Sequence, residues 1–307
     1  MNNLNGILLV IASMAAFTLE DMFIKRLSGE IPVGQILIML GIGSGSVFAC
    51  MALIKGENLF PRQAWRGVVL LRSGAEAFGA MAFATALSLV DISTVAAVFQ
   101  ALPLVITMGA ALFLGEQVGW RRWSAIVVGF AGVLMIVRPG LEGFDPSVIL
   151  VLLAVLAIAA RDLLTRLVDS NISSTVVSFQ AFASLILAGG ALLLLTGDQA
   201  RTIDLRQGGM MAGGILFGVL GYYAIVVATR IGDASAITPF RYSRLLFSIL
   251  VGVLVFGERP DALTLGGAAL IIASGLYTFL RERRLIRQAE RLARSGIGKE
   301  GHAAPAA

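Results

Sequence analysis

Charged side chains occur inside stretches that are otherwise apolar, and they are the residues best suited to chemistry. Arg72 and Glu76 lie four residues apart in one such stretch, and Arg241 and Arg244 lie three apart in another. These spacings place the members of each pair on one helix face. Arginine binds carboxylates and phosphates, and a buried carboxyl group can take up and release a proton. We therefore predict an anion-binding site at these arginines, with Glu76 as the candidate for proton coupling.

Uncharged polar residues extend the predicted binding set. Tyr242 lies between the two arginines, and Gln100 and Gln180 occur at moderate depth in other apolar stretches. Glutamine amides can hydrogen-bond a bound molecule, or they can bridge two helices. Arg72 and Glu76 can also pair with each other within one helix. The predicted substrate-binding residues are Arg72, Glu76, Gln100, Gln180, Arg241, Tyr242 and Arg244.

The deep charges are unequal in number when they are counted from the sequence. Four arginines, at positions 72, 161, 241 and 244, stand against the carboxylates of Glu76 and Asp162. A charge at the middle of a bilayer costs at least about 2.5–3.5 kcal/mol on insertion scales. The surplus of positive charge favours a carboxylate or phosphate on a bound molecule. Alternatively, backbone carbonyls, water and displaced carboxylates solvate the arginines.

The composition indicates that the solvent around these residues is lipid. Hydrophobic residues make up 57% of the 307 residues and charged residues 14%, with a mean hydropathy of +0.87. A soluble domain carries roughly 25% charged residues. Continuous apolar runs of about 20 residues match the thickness of a bilayer and predict helices rather than the alternating strands of a barrel. The predicted spans are 4–24, 34–54, 67–89, 92–114, 120–138, 147–167, 174–196, 208–229, 234–256 and 262–280.

Other classes of site are poorly supported. Cys50 and His302 are single residues of their kinds, which prevents an intrachain disulfide and makes a Cys/His metal cluster improbable. We predict no metal, no cofactor and no enzyme activity. A membrane enzyme would need a paired catalytic set, for which the choices shrink to Glu76, Asp162 and a few hydroxyl groups. Seven of the 24 basic residues fall between Arg281 and Lys299. That clustering predicts a tail facing a membrane, not a nucleic-acid partner.

The two halves of the sequence resemble each other. Similar residues recur at shifts of 141 or 142 positions, and they are Asp21/Lys25 with Asp162/Arg166, Asp91/Ser93 with Asp233/Ser235, and Gly115-Glu116 with Gly257-Glu258. Each repeat then holds five helices, and because five is odd the second repeat enters the membrane inverted. The predicted fold is all-α, with ten transmembrane helices in two inverted five-helix repeats. The repeats cover 1–140 and 141–281, and 282–307 forms a basic tail.

Basic residues also predict the orientation. The short loops on the two sides carry nearly equal numbers of lysines and arginines, so the basic tail decides. We expect both termini in the cytoplasm, and we interpret the sequence from Leu4 onward as a retained first helix rather than a cleaved signal.

Two segments resemble the drug/metabolite transporter superfamily, in particular proteins with two EamA repeats. They are "ATALSLVDISTVAAVFQALPLVITMGAALFLGEQVGWRRWSAIVVGFAGVLMIVRPG" and "ITPFRYSRLLFSILVGVLVFGERPDALTLGGAALIIASGLYTFLRER". In both, Gly-Glu ends a span and a glycine-spaced helix follows. The resemblance implies a small-molecule carrier in a bacterial inner membrane. It leaves amino acids, riboflavin-like cofactors, S-adenosylmethionine and drugs open as cargo.

An anionic or zwitterionic cargo is favoured by the arginines. No Walker sequence occurs, so we expect a secondary transporter that works by alternating access, driven by a proton gradient or by exchange. The alternative is a lipid scramblase or a membrane assembly subunit. Assembly as a homodimer stays open.

Overall fold

The computed structural model describes residues 3–116, 119–141, 144–165, 167–168, 172–231 and 237–300. Helices account for almost all of this part of the chain, and no strand occurs in it. The helices are α1 Asn3–Ser28, α2 Val33–Ile54, α3 Gly67–Leu89, α4 Ile92–Phe99, α5 Leu102–Phe113, α6 Trp120–Val137, α7 Val148–Thr165, α8 Ser174–Thr196, α9 Leu205–Ile231, α10 Ser243–Phe256 and α11 Ala262–Glu300. Short 3₁₀ turns at Arg62–Trp65 and Thr238–Tyr242 precede α3 and α10.

Ten helical segments within the described residues are long and apolar enough to cross a membrane. We number them as spans one to ten. α4 and α5 together form span four, Pro239–Phe256 forms span nine, and Ala262–Arg281 forms span ten. The predictions of an all-α protein and of ten spans are confirmed.

Prolines explain the breaks in spans four and nine. Pro103 is the second residue of α5, and a proline has no backbone N–H to donate to the preceding turn. α4 therefore ends at Phe99, and Gln100 and Ala101 separate it from α5. Pro239 begins span nine in the same manner, inside the 3₁₀ turn that leads into α10.

The two repeats pack against each other through matched helix pairs. α1, which is span one, packs on α9, which is span eight. α3, which is span three, packs on α7, which is span six. If every span is exchanged with its counterpart five positions along the chain, the first pair becomes the second. α2 packs on α8 and α6 packs on α11, and the exchange maps each of these pairs onto itself. Because each repeat has five spans, the second crosses the membrane in the opposite direction.

Glycines allow two of these helix pairs, α6 with α11 and α2 with α8, to approach closely. A methyl group on Gly132 would lie 2.7 Å from the carbonyl oxygen of Gly267, and one on Gly267 would lie 2.6 Å from that of Gly132. A methyl group on Gly34 would similarly lie 2.5 Å from the carbonyl oxygen of Gly189. α6 and α11, and likewise α2 and α8, therefore meet backbone to backbone, as small residues permit between membrane helices.

A carboxylate from the second repeat caps a helix of the first. Glu258 accepts hydrogen bonds from the backbone N–H groups of Ile92 at 2.7 Å and Ser93 at 3.0 Å, and from the Ser93 hydroxyl at 2.6 Å. These N–H groups begin α4 and have no partner within the helix. The Lys25 ammonium lies 3.9 Å from Glu258 and donates to the carbonyl oxygen of Val90.

Candidate functional site

An ion pair joins the two repeats inside the membrane spans. Arg244 of α10 donates from Nη2 to Asp21 of α1 over 2.6 Å, and Asp21 is only 4% exposed. The rings of Phe17, Phe83 and Phe99 surround the guanidinium at about 5.5 Å. Aromatic faces attract a guanidinium. This surrounding confines Arg244 to its carboxylate partner.

Glu20 lies beside that ion pair. Its carboxylate packs against Gly218 of α9, where a methyl group would lie 2.5 Å from Oε1. Only a glycine at this position leaves room for the carboxylate. Within the described part of the chain, Glu20 interacts with Asp21 and Arg244 through longer-range electrostatics rather than through a hydrogen bond. We call Glu20, Asp21 and Arg244 the span-one cluster.

A second set of charges connects α3 with α7. Arg161 donates from Nη1 to both oxygens of Glu76 at 3.0 Å and from Nε to Asp162 at 2.9 Å. Arg72 lies 3.6 Å from Glu76 and donates to the Thr165 hydroxyl at 2.9 Å. The pairing of Arg72 with Glu76 that their spacing allows is thus present. Glu76 also bridges the two repeats through Arg161.

Arg241 completes this set from span nine. Its side chain is exposed and interacts with Asp162 and Arg161 only over longer distances. We call Arg72, Glu76, Arg161, Asp162 and Arg241 the span-six cluster. Tyr242, the next residue, turns away from it, because its hydroxyl packs directly on Gly275 of α11.

The remaining predicted binding residues lie apart from the charges. Gln180 donates to the carbonyl oxygen of Ala64 at 3.0 Å, and its Oε1 is buried without a partner. Gln100 is 8% exposed and lies at the break between α4 and α5. Nη1 of Arg72 is also buried without a hydrogen-bond partner. Buried polar atoms are normally satisfied, so these orphaned atoms mark places where water or cargo can bind.

The surplus of positive charge expected from the sequence is absent. Glu20 and Asp21 belong to the interior of span one, which runs from Leu4 to Ser28. The span-one cluster therefore holds two carboxylates and one guanidinium, and the span-six cluster holds two carboxylates and three guanidinium groups. Together the clusters contain four charges of each sign. The count from the sequence omits both carboxylates because the predicted first span ends at residue 24, which places Asp21 near a helix end, whereas the span continues to Ser28.

Sequence reasoning also missed Glu20 as a candidate. A signal for it does exist in the repeats, because a shift of 141 places Glu20 opposite Arg161 and Asp21 opposite Asp162. Equivalent positions in the two repeats thus carry opposite charges next to a shared aspartate. That contrast, rather than the similarity, marks Glu20 as unusual.

Outside the spans, the carboxyl group of Asp261 is strongly perturbed. Asp261, just before α11, accepts hydrogen bonds from Arg138 and from the backbone N–H of Thr264. The bond from Arg138, followed by the one from Thr264, lowers the pKa of Asp261 to about 2. Arg138 ends α6 in a left-handed conformation with φ of 51°. The contact ties the end of the first repeat to the start of span ten.

Comparison with known proteins identifies relatives that match most of the chain. An S-adenosylmethionine uptake transporter of Rickettsia felis is 28% identical over 92% of this chain and 94% of its own length. A riboflavin transporter of Rhizobium johnstonii is 31% identical over 73% of each chain. The pseudopaline exporter CntI of Pseudomonas aeruginosa is 24% identical over 88% of this chain and 94% of its own.

The fold and the repeats are matched as well. A solved crystal structure superposes with a TM-score of 0.60, covering 92% of this chain and 99% of the other at 21% identity. The EamA-like transporter family matches residues 4–138 and, a second time, residues 145–280. These two matches each contain five of the spans described above. The chain therefore belongs to the EamA-like transporter family, as a multi-pass protein of a bacterial inner membrane.

Proposed function

We propose that the protein is a secondary transporter that moves a small charged metabolite across the inner membrane by alternating access. The observation that carries this proposal is that the buried polar contacts cross between the repeats. Asp21 bonds Arg244, Glu76 bonds Arg161, and Glu258 caps α4. A movement of one repeat against the other must break or exchange such contacts, and inverted repeats that move in this way expose a central site to each side in turn.

The cargo belongs to the range that the relatives define by name. Those names include S-adenosylmethionine, riboflavin and pseudopaline, and they include both uptake and export. Nη1 of Arg72 is buried without a hydrogen-bond partner, which supports an anionic or zwitterionic cargo of amino-acid type over a neutral one. A buried charge needs a partner, so a charged cargo is stabilised where this guanidinium is.

Glu76 stays our candidate for proton coupling. It binds Arg161 through both oxygens, and Arg72 lies beside it. A proton that neutralised Glu76 would weaken its bonds to Arg161, which belongs to the other repeat. Protonation and separation of the repeats would thereby be linked, as coupled transport requires.

Purified protein in proteoliposomes tests the proposal. We expect uptake of labelled S-adenosylmethionine, which carries an amino-acid group, above that of protein-free vesicles. We further expect an inward proton gradient to drive accumulation in the wild type but not in Glu76→Gln, which should keep exchange. Protein that moves fluorescent lipids between leaflets but no solute would overturn the proposal in favour of a scramblase. Normal gradient-driven accumulation in Glu76→Gln would remove Glu76 from the mechanism.

A further inference from the structure

A groove apart from the charged clusters opens between α6 and α11. It has a volume of about 310 Å³, and its lining consists of Trp120, Arg121, Ser124, Ala125, Val128, Ala273, Ser274 and Tyr277. Most of this lining belongs to spans five and ten. Val128 and Ala273 are exposed on the outer surface of these spans. The groove therefore opens towards the acyl chains of the bilayer.

The groove begins at one boundary of the membrane. With ten spans, the start of span five at Trp120 and the end of span ten at Arg281 lie on the same side. Trp120 is 74% exposed and Tyr277 is 49% exposed, and such residues favour the level of the lipid headgroups. From Arg121 to Val128 the groove extends inward by about 10 Å at 1.5 Å per residue, which stays within one leaflet.

Arginines surround the outer end of the groove. The Arg121 guanidinium lies over the Trp120 ring at 5.3 Å and forms no ion pair within the described residues. Stacking occupies the face of a guanidinium and leaves its in-plane N–H groups free to donate. On α11, Arg281 follows Tyr277 by four residues and Arg284 follows Arg281 by three, so the three share one helix face. The groove is thus apolar inside and positively charged at its opening.

We infer that this groove binds one anionic phospholipid from the leaflet on the side of the carboxyl terminus. One acyl chain lies between α6 and α11, and the phosphodiester lies at Arg121, Arg281 and Arg284. Arginine fits this group because its planar fork donates two N–H bonds to a phosphate. The volume is near the lower end of the range for small-molecule sites. The groove therefore takes a segment of one chain, while the rest of the lipid stays in the bilayer.

The charge at the opening selects among the lipids of the leaflet. A zwitterionic phospholipid carries an ammonium group beside its phosphate, and the arginines repel that group. An anionic phospholipid such as phosphatidylglycerol carries no cation, so each arginine near it adds attraction. Because α6 belongs to the first repeat and α11 to the second, the bound lipid connects the repeats at the membrane boundary. This site does not depend on the proposed transport function.

Tryptophan fluorescence tests the site. The chain has three tryptophans, and the changes Trp65→Phe and Trp123→Phe leave Trp120 as the single reporter. The delipidated protein is reconstituted with phosphatidylglycerol or phosphatidylcholine whose otherwise identical chains carry bromine, which quenches a neighbouring tryptophan. We expect at least about a fivefold preference for phosphatidylglycerol at Trp120, the effect of one basic residue at an anionic membrane surface.

A second reporter provides the matched control. Trp65 is 54% exposed and is followed by Arg66, and both lie just before span three on the same side of the membrane. Neither residue lines the groove. With Trp65 as the single tryptophan, we expect a clearly weaker preference for phosphatidylglycerol. An equal preference at the two tryptophans would show a general attraction of anionic lipid to this side and would overturn the inference.

Variants separate the headgroup from the chain. Arg121→Gln should lower the preference at Trp120 about fivefold. Ala273→Leu narrows the groove without changing its charge and should also lower the preference. Ala269→Leu adds the same volume at an exposed position one turn away on α11, outside the groove, and should not. If Arg121→Gln or Ala273→Leu keeps the full preference at Trp120, the inference is wrong.

Thermal shift distinguishes a lipid from a free phosphate. A ligand that binds the folded state raises its stability, so phosphatidylglycerol should raise the melting temperature of the delipidated protein more than that of Arg121→Gln. Inorganic phosphate should have no such effect, because it has no chain to fill the groove. A shift with inorganic phosphate that equals the shift with lipid and disappears in Arg121→Gln would show a site for free anions and overturn the assignment to lipid.

Discussion

At the level of single residues, the bond between Asp21 and Arg244 tests how the repeats are held together. Its carboxylate is nearly inaccessible, and its guanidinium lies among three aromatic rings. Removing one member of a buried pair leaves the other charge uncompensated, which costs about 3–5 kcal/mol. We expect Asp21→Asn and Arg244→Gln each to lower the melting temperature of the detergent-solubilised protein clearly.

The double variant distinguishes pairing from packing. If the charges matter to each other, Asp21→Asn combined with Arg244→Gln should lose less stability than the sum of the single changes. Strict additivity would show that each side chain acts independently. Protein yield and monodispersity would be measured beside the melting temperature, since a poorly inserted chain gives no interpretable transition.

Asp261 predicts a pH dependence at the membrane surface. Its pKa is lowered from 3.8 to about 2 in the folded protein, chiefly by the bond from Arg138. The stabilisation is therefore complete above pH of about 4 and is lost as the pH falls towards 2. The Asp261 side chain is 49% exposed, so solvent screening limits the effect to below about 1 kcal/mol.

The measurement compares the melting temperatures of the wild type and Asp261→Asn at pH 6 and pH 2.5. We expect the wild type to be slightly more stable at pH 6 and the difference to shrink to about a third at pH 2.5, because the folded-state pKa is about 2. Asp198→Asn, a change in the exposed segment after α8, should behave as the wild type at both values. A difference of the same size at pH 2.5 as at pH 6 would show that the Arg138 contact is not electrostatic.

The residues of the site were predicted unevenly from the sequence. The pairing of Arg72 with Glu76 follows from a spacing of four, since helical geometry alone brings them together. The partnership of Asp21 with Arg244 joins residues 223 positions apart, and no local pattern carries that information. Tyr242 lies between two arginines that were predicted to bind cargo. Its contact with Gly275 could not be predicted, because it depends on how span ten packs.

At the level of helices, two neighbouring glycines of α8 make contrasting predictions. A methyl group on Gly189 would meet the carbonyl oxygen of Gly34 and would lie 2.8 Å from Ile38. A methyl group on Gly190 meets nothing within 4 Å. Gly189→Ala should therefore separate α2 from α8 and cost about 1–3 kcal/mol. Gly190→Ala should be neutral or stabilising, because alanine favours a helix by about 1 kcal/mol over glycine.

Thermal unfolding of both variants in the same detergent gives the comparison. Equal behaviour of Gly189→Ala and Gly190→Ala would contradict the close approach of α2 and α8. A loss of stability limited to Gly190→Ala would place the contact on the other face of α8.

The helices themselves were predictable because apolar length and polar loops mark them directly. The boundaries of most spans differ from the prediction by a few residues, and α9 extends further at both ends. The cap of Glu258 on α4 was harder to foresee, since the carboxylate comes from the other repeat. The sequence shows that Glu258 belongs to a repeated Gly-Glu pair. It does not show that this carboxylate accepts hydrogen bonds from the first residues of α4.

At the level of the whole molecule, orientation remains the main prediction. The even number of spans places both ends of the described chain on one side, and the basic tail favours the cytoplasm. We expect a reporter that is active only in the periplasm to be silent when it is fused at Ala307. A cysteine at Arg121 should resist a membrane-impermeant reagent added to intact cells, and one at Arg201 should react.

Activity of the periplasmic reporter at Ala307, or the opposite labelling pattern, would reverse the orientation. Replacing Cys50 beforehand removes the natural thiol, which is exposed. The limits of the repeats at residues 1–140 and 141–281, and assembly as a homodimer, stay predictions. The packed helix pairs are related by exchanging the two repeats. This relation agrees with the inverted repeats that the odd number of spans per repeat predicts.

The last helix continues without interruption from span ten to Glu300. Between Tyr277 and Arg294 the sequence contains neither proline nor glycine, the usual causes of a sharp kink. At 1.5 Å per residue, the stretch from Arg281 to Arg294 adds about 20 Å of rod beyond the span. Because this extension belongs to the same helix as span ten, its orientation follows that of the span. If the repeats move against each other as proposed, the far end of this helix moves farther than span ten itself. We therefore expect the mobility or distance signal of a spin label near Arg294 to change when cargo is added.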